Sequence, residues 1–174
     1  MDDIVKAALK KWPNVPHCHG WLGLDARGDW YLRDEATQAA GPFPQVKGSR
    51  VENIKLKEFI HRNYDHDDAG AWFFQNGPQR VYVALEAAPL VLGVQRQQDG
   101  QFEVTTHTGE VVGAITSSCL DEMGRLYLQT PKGLGLMRSL DMDVAADAIE
   151  AGLWDPQEVD FASLPERFQF KLAP

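Results

Sequence analysis

The chain has 174 residues, a formal net charge of −8, 44% hydrophobic and 24% charged residues, and two cysteines, Cys18 and Cys119. A chain this acidic is repelled by nucleic acid and by anionic membrane surfaces unless a local basic patch overrides the total, and the best cluster, Lys47, Arg50, Lys55 and Lys57, is diluted by Glu52 and Glu58. Two thiols make no disulfide framework, no apolar run reaches the ~20 residues of a membrane span, and the first residues lack a signal peptide's basic start, so the expectation is a cytoplasmic protein with residues 1–174 as one compact region.

In chain order, Ile4, Val5, Ala8, Leu9 and Trp12 follow helical spacing over residues 2–12, and Pro13 ends the run. Segments 21–24 and 29–32 flank a polar turn and predict a β-hairpin. Residues 34–53, rich in Gly, Pro, Gln and Ala, read as a surface connection. The clearest helix spans 54–64, with Ile54, Leu56, Phe59 and Ile60 on one face and Asn53 as its N-cap. Strands follow at 72–74, 81–85, 89–95 and 102–105, and the loop 107–110 leads to a strand at 111–115. Strands 114–120 and 125–130 meet across a further turn. A second helix spans 142–153 with Asp141 placed to cap it, and residues 155–174, with three prolines, form an irregular tail ending in a short strand at 168–171.

Three turns share the pattern D-x-x-G-x-[WL]-[YF]-[LF], beginning at Asp25, Asp67 and Asp121. The copies start 42 and 54 residues apart, a spacing too uneven for a regular solenoid. The sum is an α+β fold: repeated helix-plus-antiparallel-sheet units over 20–90 and 91–154, with curled, hairpin-connected strands.

The segment Gln79-Arg80-Val81-Tyr82-Val83-Ala84-Leu85-Glu86-Ala87-Ala88-Pro89-Leu90 fits a pattern [EQ]-[KR]-V-x-[IV]-x-[VL]-E-x-A-P-[FL]. It resembles a bacterial family, domain of unknown function number 1285, over residues 20–150. The chain departs from that family at Ala87, where an acidic residue is usual, and at Asn76-Gly77, where Thr-Pro is usual, which points to membership of that family or a sibling. The resemblance implies repeated α+β motifs around a cleft and no established reaction; a signalling or ligand-sensing role is the usual suggestion.

Several clusters carry candidate chemistry. His17-Cys18-His19 offers metal ligands, but an extended chain puts His17 and His19 on one face and Cys18 on the other, so a site needs His61, His66 or His107 as well. The Asp65–Gly70 turn starts like a calcium loop and lacks ligands at Ala69 and Asn76. Cys119, beside Ser117 and Ser118, is a nucleophile only if a base such as His107 stands near it. The stretch 130–135 offers backbone N–H groups and Lys132 to an anion without a complete phosphate loop. Arg80 and Arg138 follow the second and third turn copies, and facing units would let both clamp a carboxylate or phosphate. The sequence therefore favours a binding or regulatory module for a small anionic ligand or partner protein, through Arg80, Arg138 and Lys132. It assigns no catalytic residue and no cofactor. A metal-assisted enzyme using His17 and His19, and an assembly protein pairing by its sheet edges, are the alternatives.

Overall fold

The computed structural model describes residues 1–174. It contains two units: Met1–Asp25 with Asp29–Glu86 and Phe170–Pro174, and Ala26–Gly28 with Ala87–Gln169. Each is built on a six-stranded sheet, which makes the protein α+β.

The first unit begins with helix α1 (Asp3–Lys11), which buries Val5. The Asp2 N–H donates to Asn63 Oδ1 at 2.8 Å and its carboxylate receives Arg62 Nε, so α1 is tied to the end of a later helix. Strands β1 (Cys18–Leu24) and β2 (Trp30–Leu32) form the expected hairpin. The next stretch is more ordered than its composition suggests. Asp34 accepts from Thr37 N at 2.8 Å and starts helix α2 (Glu35–Ala40), and β3 (Ser49–Arg50) pairs with β2. Asn53 caps α3 (Ile54–Arg62) as expected, accepting from Leu56 N at 3.0 Å. Strands β4 (Tyr64–His66), β5 (Trp72–Asn76) and β6 (Gln79–Leu85) then run as a meander. The sheet order is β3-β2-β1-β6-β5-β4.

The second unit repeats this path. A hairpin of β7 (Leu90–Arg96) and β8 (Phe102–Thr106) precedes a meander of β9 (Ser117–Leu120), β10 (Leu126–Thr130) and β11 (Gly133–Met137). Helix α4 (Met142–Glu150), strand β12 (Gln157–Glu158) and the short helix α5 (Leu164–Arg167) follow, and the sheet order is β12-β9-β10-β11-β7-β8. In both units the last meander strand returns parallel to the first hairpin strand: β6 beside β1, and β11 beside β7. These sheets are therefore mixed rather than purely antiparallel. A parallel neighbour needs a long crossover, and the chain between hairpin and meander supplies it.

Three local expectations are corrected. The strand at 111–115 reduces to a single bridge, Thr105 to Val111. Asp141 makes no capping bond; its carboxylate accepts instead from Arg138 Nε at 2.6 Å and from Val94 N at 3.0 Å, because a charged partner and a sheet N–H outcompete a helix end. The tail strand at 168–171 is absent. Phe170 is buried there, Lys171 N donates to Gly70 O, and Leu172 O accepts from Leu85 N, so the segment docks by isolated bonds.

The glycine turn is used five times. The N–H of Asp25, Asp67, Gln97, Thr106 and Asp121 each donates to the carbonyl four residues on, at 2.7–3.1 Å. The glycine in the fourth position has φ between 74° and 91° in every case, a left-handed conformation that side chains resist. Asp67 and Asp121 occupy equivalent turns, opening β5 and β10. The equivalent of the Asp25 turn is the one begun by Gln97, where the aspartate stands third, at Asp99, rather than in the leading position.

Candidate functional site

A groove of about 480 Å³ lies in the first unit. Its floor comes from one face of the sheet: Cys18 and Leu22 on β1, Val81 on β6 and Phe74 on β5. Leu56 and Ile60, one helical turn apart on α3, supply a wall. Trp21 and Leu32 stand at the rim, 42% and 48% exposed. An irregularity in β1 brings these residues together. Cys18 pairs with Val81 and Leu22 with Val83, so four residues of β1 are spanned against two of β6, and alternation is broken where Trp21 and Leu22 both reach the groove.

Arg33 holds that irregularity in place and also lines the groove. It is 4% exposed, and its guanidinium donates to Gly20 O at 3.3 Å, Gly41 O at 2.6 Å and Val46 O at 3.2 Å. No carboxylate lies within 4.0 Å of it. Asp34, the groove's own carboxylate, is turned to the start of α2, where the Thr37 N–H holds it below the ordinary carboxylate range. In the second unit, a cavity of about 590 Å³ has Gln97, Asp99, Gln101 and Glu103 in its walls, and one of about 570 Å³ has Asp121, Glu122, Glu158 and Asp160. Among these cavities the groove alone combines mainly apolar walls with a cation.

On and just before other strand positions of the first unit, three sequence candidates gather around Tyr82. The His19 ring stacks on Tyr82 at 4.7 Å and 13°, and His17 meets it edge-on at 5.7 Å. His19 Nδ1 is 3.2 Å from Pro174 O. Arg80 lies 4.3 Å over the Phe73 ring and reaches the Tyr82 hydroxyl at 3.5 Å; that hydroxyl donates to Asp67 at 3.1 Å. Cys18 faces the groove, as strand alternation requires.

The other candidates have partners of their own. Arg138 is bound by Asp141 and Lys132 by Glu110. Arg80 and Arg138, which follow the second and third turn copies, do not occupy equivalent positions. Phe73 pairs with Tyr82 and Tyr127 with Leu136, which makes Leu134 the counterpart of Arg80 and Ala84 that of Arg138. His61 Nε2 accepts from Trp30 Nε1 at 2.9 Å, and burial followed by Lys57 lowers its imidazole below the ordinary range. His66 packs on Trp72, and His107 Nδ1 accepts from Val91 N. No three or more His, Cys, Asp or Glu side chains converge as a metal-ligating set. Asp67 receives Ala69 N and Ala71 N in its turn, and burial pushes the Cys119 thiol up.

The protein is thus built of two similar α+β sheet units, the first with an apolar groove. The DUF2944 family model, described as a protein of unknown function (DUF2946), matches residues 1–174, and the chain belongs to that family. Two solved structures share its fold. A DUF1285 family protein from Shewanella baltica OS155 is 18% identical with a TM-score of 0.50, covering 73% of this chain and 91% of that one. A DUF1285 family protein from Silicibacter pomeroyi DSS-3 is 15% identical with a TM-score of 0.53, covering 84% of each chain. The resemblance read from Gln79–Leu90 is thus borne out at the level of fold. Comparison with curated proteins gave no match. No helix is long and apolar enough to cross a membrane.

Sequence reasoning missed the groove. Ile60 and Phe74 were legible as apolar positions and Trp21 as a strand residue, but nothing in their spacing shows that a helix and a strand irregularity leave space between them. Arg33, next to a cap, gave no sign of being buried.

Proposed function

We propose that the protein is a non-catalytic binding module that takes up a small, largely apolar molecule in the groove of its first unit. The observation that supports this reading is the groove itself. Its volume falls within the roughly 300–1,000 Å³ of small-molecule sites, and apolar walls with few polar groups are the usual composition of such sites. Trp21 and Leu32 at the rim expose apolar surface that a ligand would cover, at about 25 cal/mol for each Å² removed from water.

The test is a titration with Nile red, a neutral apolar dye, followed by its fluorescence and by reaction of Cys18 with a thiol reagent. Cys18 lines the groove while Cys119 is 1% exposed, so the reagent reads the groove. The expected result is saturable fluorescence and slower Cys18 labelling in wild type, both lost in Leu56→Glu with the fold retained by circular dichroism. Equal dye response in wild type and variant, with unchanged Cys18 labelling, would sink the reading.

A further inference from the structure

We infer that the natural occupant is an amphipathic carboxylate, an acid with a medium-length apolar body, bound with its acid group toward Arg33. This rests on the groove being a ligand site and adds the chemistry of the ligand.

The argument starts from a charge without a countercharge. Charged side chains are almost never fully buried unless paired, because transfer from water removes hydration that only a partner replaces. Arg33 is 4% exposed and has three backbone carbonyls as partners, with no carboxylate within 4.0 Å. Other partly buried cations find acids, as Lys47 does with Asp25 and Glu86 and Arg125 with Asp121, or rest on aromatic rings, as Arg80 does on Phe73. A guanidinium carries five N–H donors, and the three bonds leave two uncommitted.

The surroundings then select the ligand. Arg33 is in the wall of a cavity whose remaining lining is led by Leu22, Leu56, Ile60, Phe74 and Val81. Such walls exclude water and leave the field of a nearby cation poorly screened. A free inorganic anion would gain the charge interaction and leave the apolar walls uncovered. A neutral hydrocarbon would cover the walls and leave the cation unpaired. An acid with an apolar body satisfies both, and a planar carboxylate matches the guanidinium fork. Asp34 is no substitute, since it is exposed and committed to Thr37 N at the start of α2.

The test compares three probes of equal chain length against Nile red in the wild-type protein: octanoate, octanol and octyltrimethylammonium. A charge-assisted hydrogen bond predicts that octanoate displaces the dye at a concentration at least about tenfold below that of octanol, with the cation weakest. Cys18 labelling slows in the same order. Arg33→Gln, checked by its melting curve, brings the acid-to-alcohol ratio close to unity. If that variant does not fold, the wild-type series decides alone. Octanol equal to octanoate, or the cation as effective, overturns the acid preference while the apolar groove stands. Failure of Nile red and all three probes to bind removes both readings.

Discussion

In the second unit, Asp121 receives the hydroxyl of Tyr127, from the strand that leaves its own turn. In the first, Asp67 receives the hydroxyl of Tyr82, from the strand beyond. The two tyrosines are on opposite members of the equivalent cross-strand pair, Phe73–Tyr82 in one unit and Tyr127–Leu136 in the other. Either strand can deliver the phenol because directly paired residues project to the same side of a sheet. The arginines differ too. Arg125 stands four residues after its aspartate and donates to it at 2.7 Å, with Phe161 4.7 Å from its guanidinium. Arg80 lies over Phe73 and reaches only the tyrosine oxygen. One topology thus houses a sealed acid–arginine pair in one unit, and in the other a more open arrangement edged by exposed His17 and His19. A repeated turn specifies the backbone, and the side chains around it are free to be exchanged.

The largest expected effect separates the two aspartates. Asp121 is 6% exposed and accepts from Met123 N, Arg125 N, Arg125 Nε and Tyr127 Oη. Asp121→Ala leaves these donors, one a half-buried cation, without an acceptor, and should cost about 3–5 kcal/mol in urea unfolding. Asp67→Ala, at a half-buried site with two N–H donors and one hydroxyl, should cost about 1–3 kcal/mol. Equal losses would break the contrast between a sealed and an open cluster.

Acid should sharpen the same contrast. Burial raises both carboxyl groups, but hydrogen bonds outweigh it: from Arg125 and Tyr127 at Asp121, and from Ala71, Tyr82 and Ala69 at Asp67. Both are therefore held below their ordinary value. A depressed folded pKa means that the unfolded chain takes up protons first. The stabilisation is complete above the unfolded value and is lost as pH falls from about 4 through the folded values. Stability measured from pH 6 downwards should fall in that window, and Asp121→Asn should flatten the fall more than Asp67→Asn.

A smaller effect tests the exchange of tyrosines. Tyr82→Leu should lose roughly 1–2 kcal/mol through its hydroxyl and ring contacts. Adding Phe73→Tyr, which copies the pattern of the second unit, should recover about 1 kcal/mol in a double-mutant cycle. Additive losses would show that the paired positions are not interchangeable. The smallest change expected is Lys132→Ala. Its partner Glu110 is as exposed as it is, so the loss should stay within about 1 kcal/mol and vanish in high salt.

Much of the fold was legible in the sequence. The period of Ile54, Leu56, Phe59 and Ile60 and the cap at Asn53 defined α3, and the glycine turns located three hairpins. The turns begun by Gln97 and Thr106 were legible as turns at Asp99-Gly100 and 107–110 but not as copies of the same glycine turn, because the leading side chain is not aspartate although the backbone geometry is the same. Asp141 stood where a cap should stand and bonded elsewhere, since a sheet N–H and Arg138 came within reach only after folding. Arg80 and Arg138 looked equivalent along the chain, and strand register separated them.

Neighbours in the chain settle where turns form, which glycines adopt left-handed conformations, which helix face is apolar, and the α+β class that follows. Folding in three dimensions supplied what depends on distant residues meeting. It closed each meander parallel to its hairpin, set His17, His19 and Arg80 around Tyr82, and buried Arg33 without an acid beside an apolar groove. Hydrophobic period and turn chemistry are local quantities. A cavity, and a charge left without its partner, exist only once strands from across the chain have been brought into register.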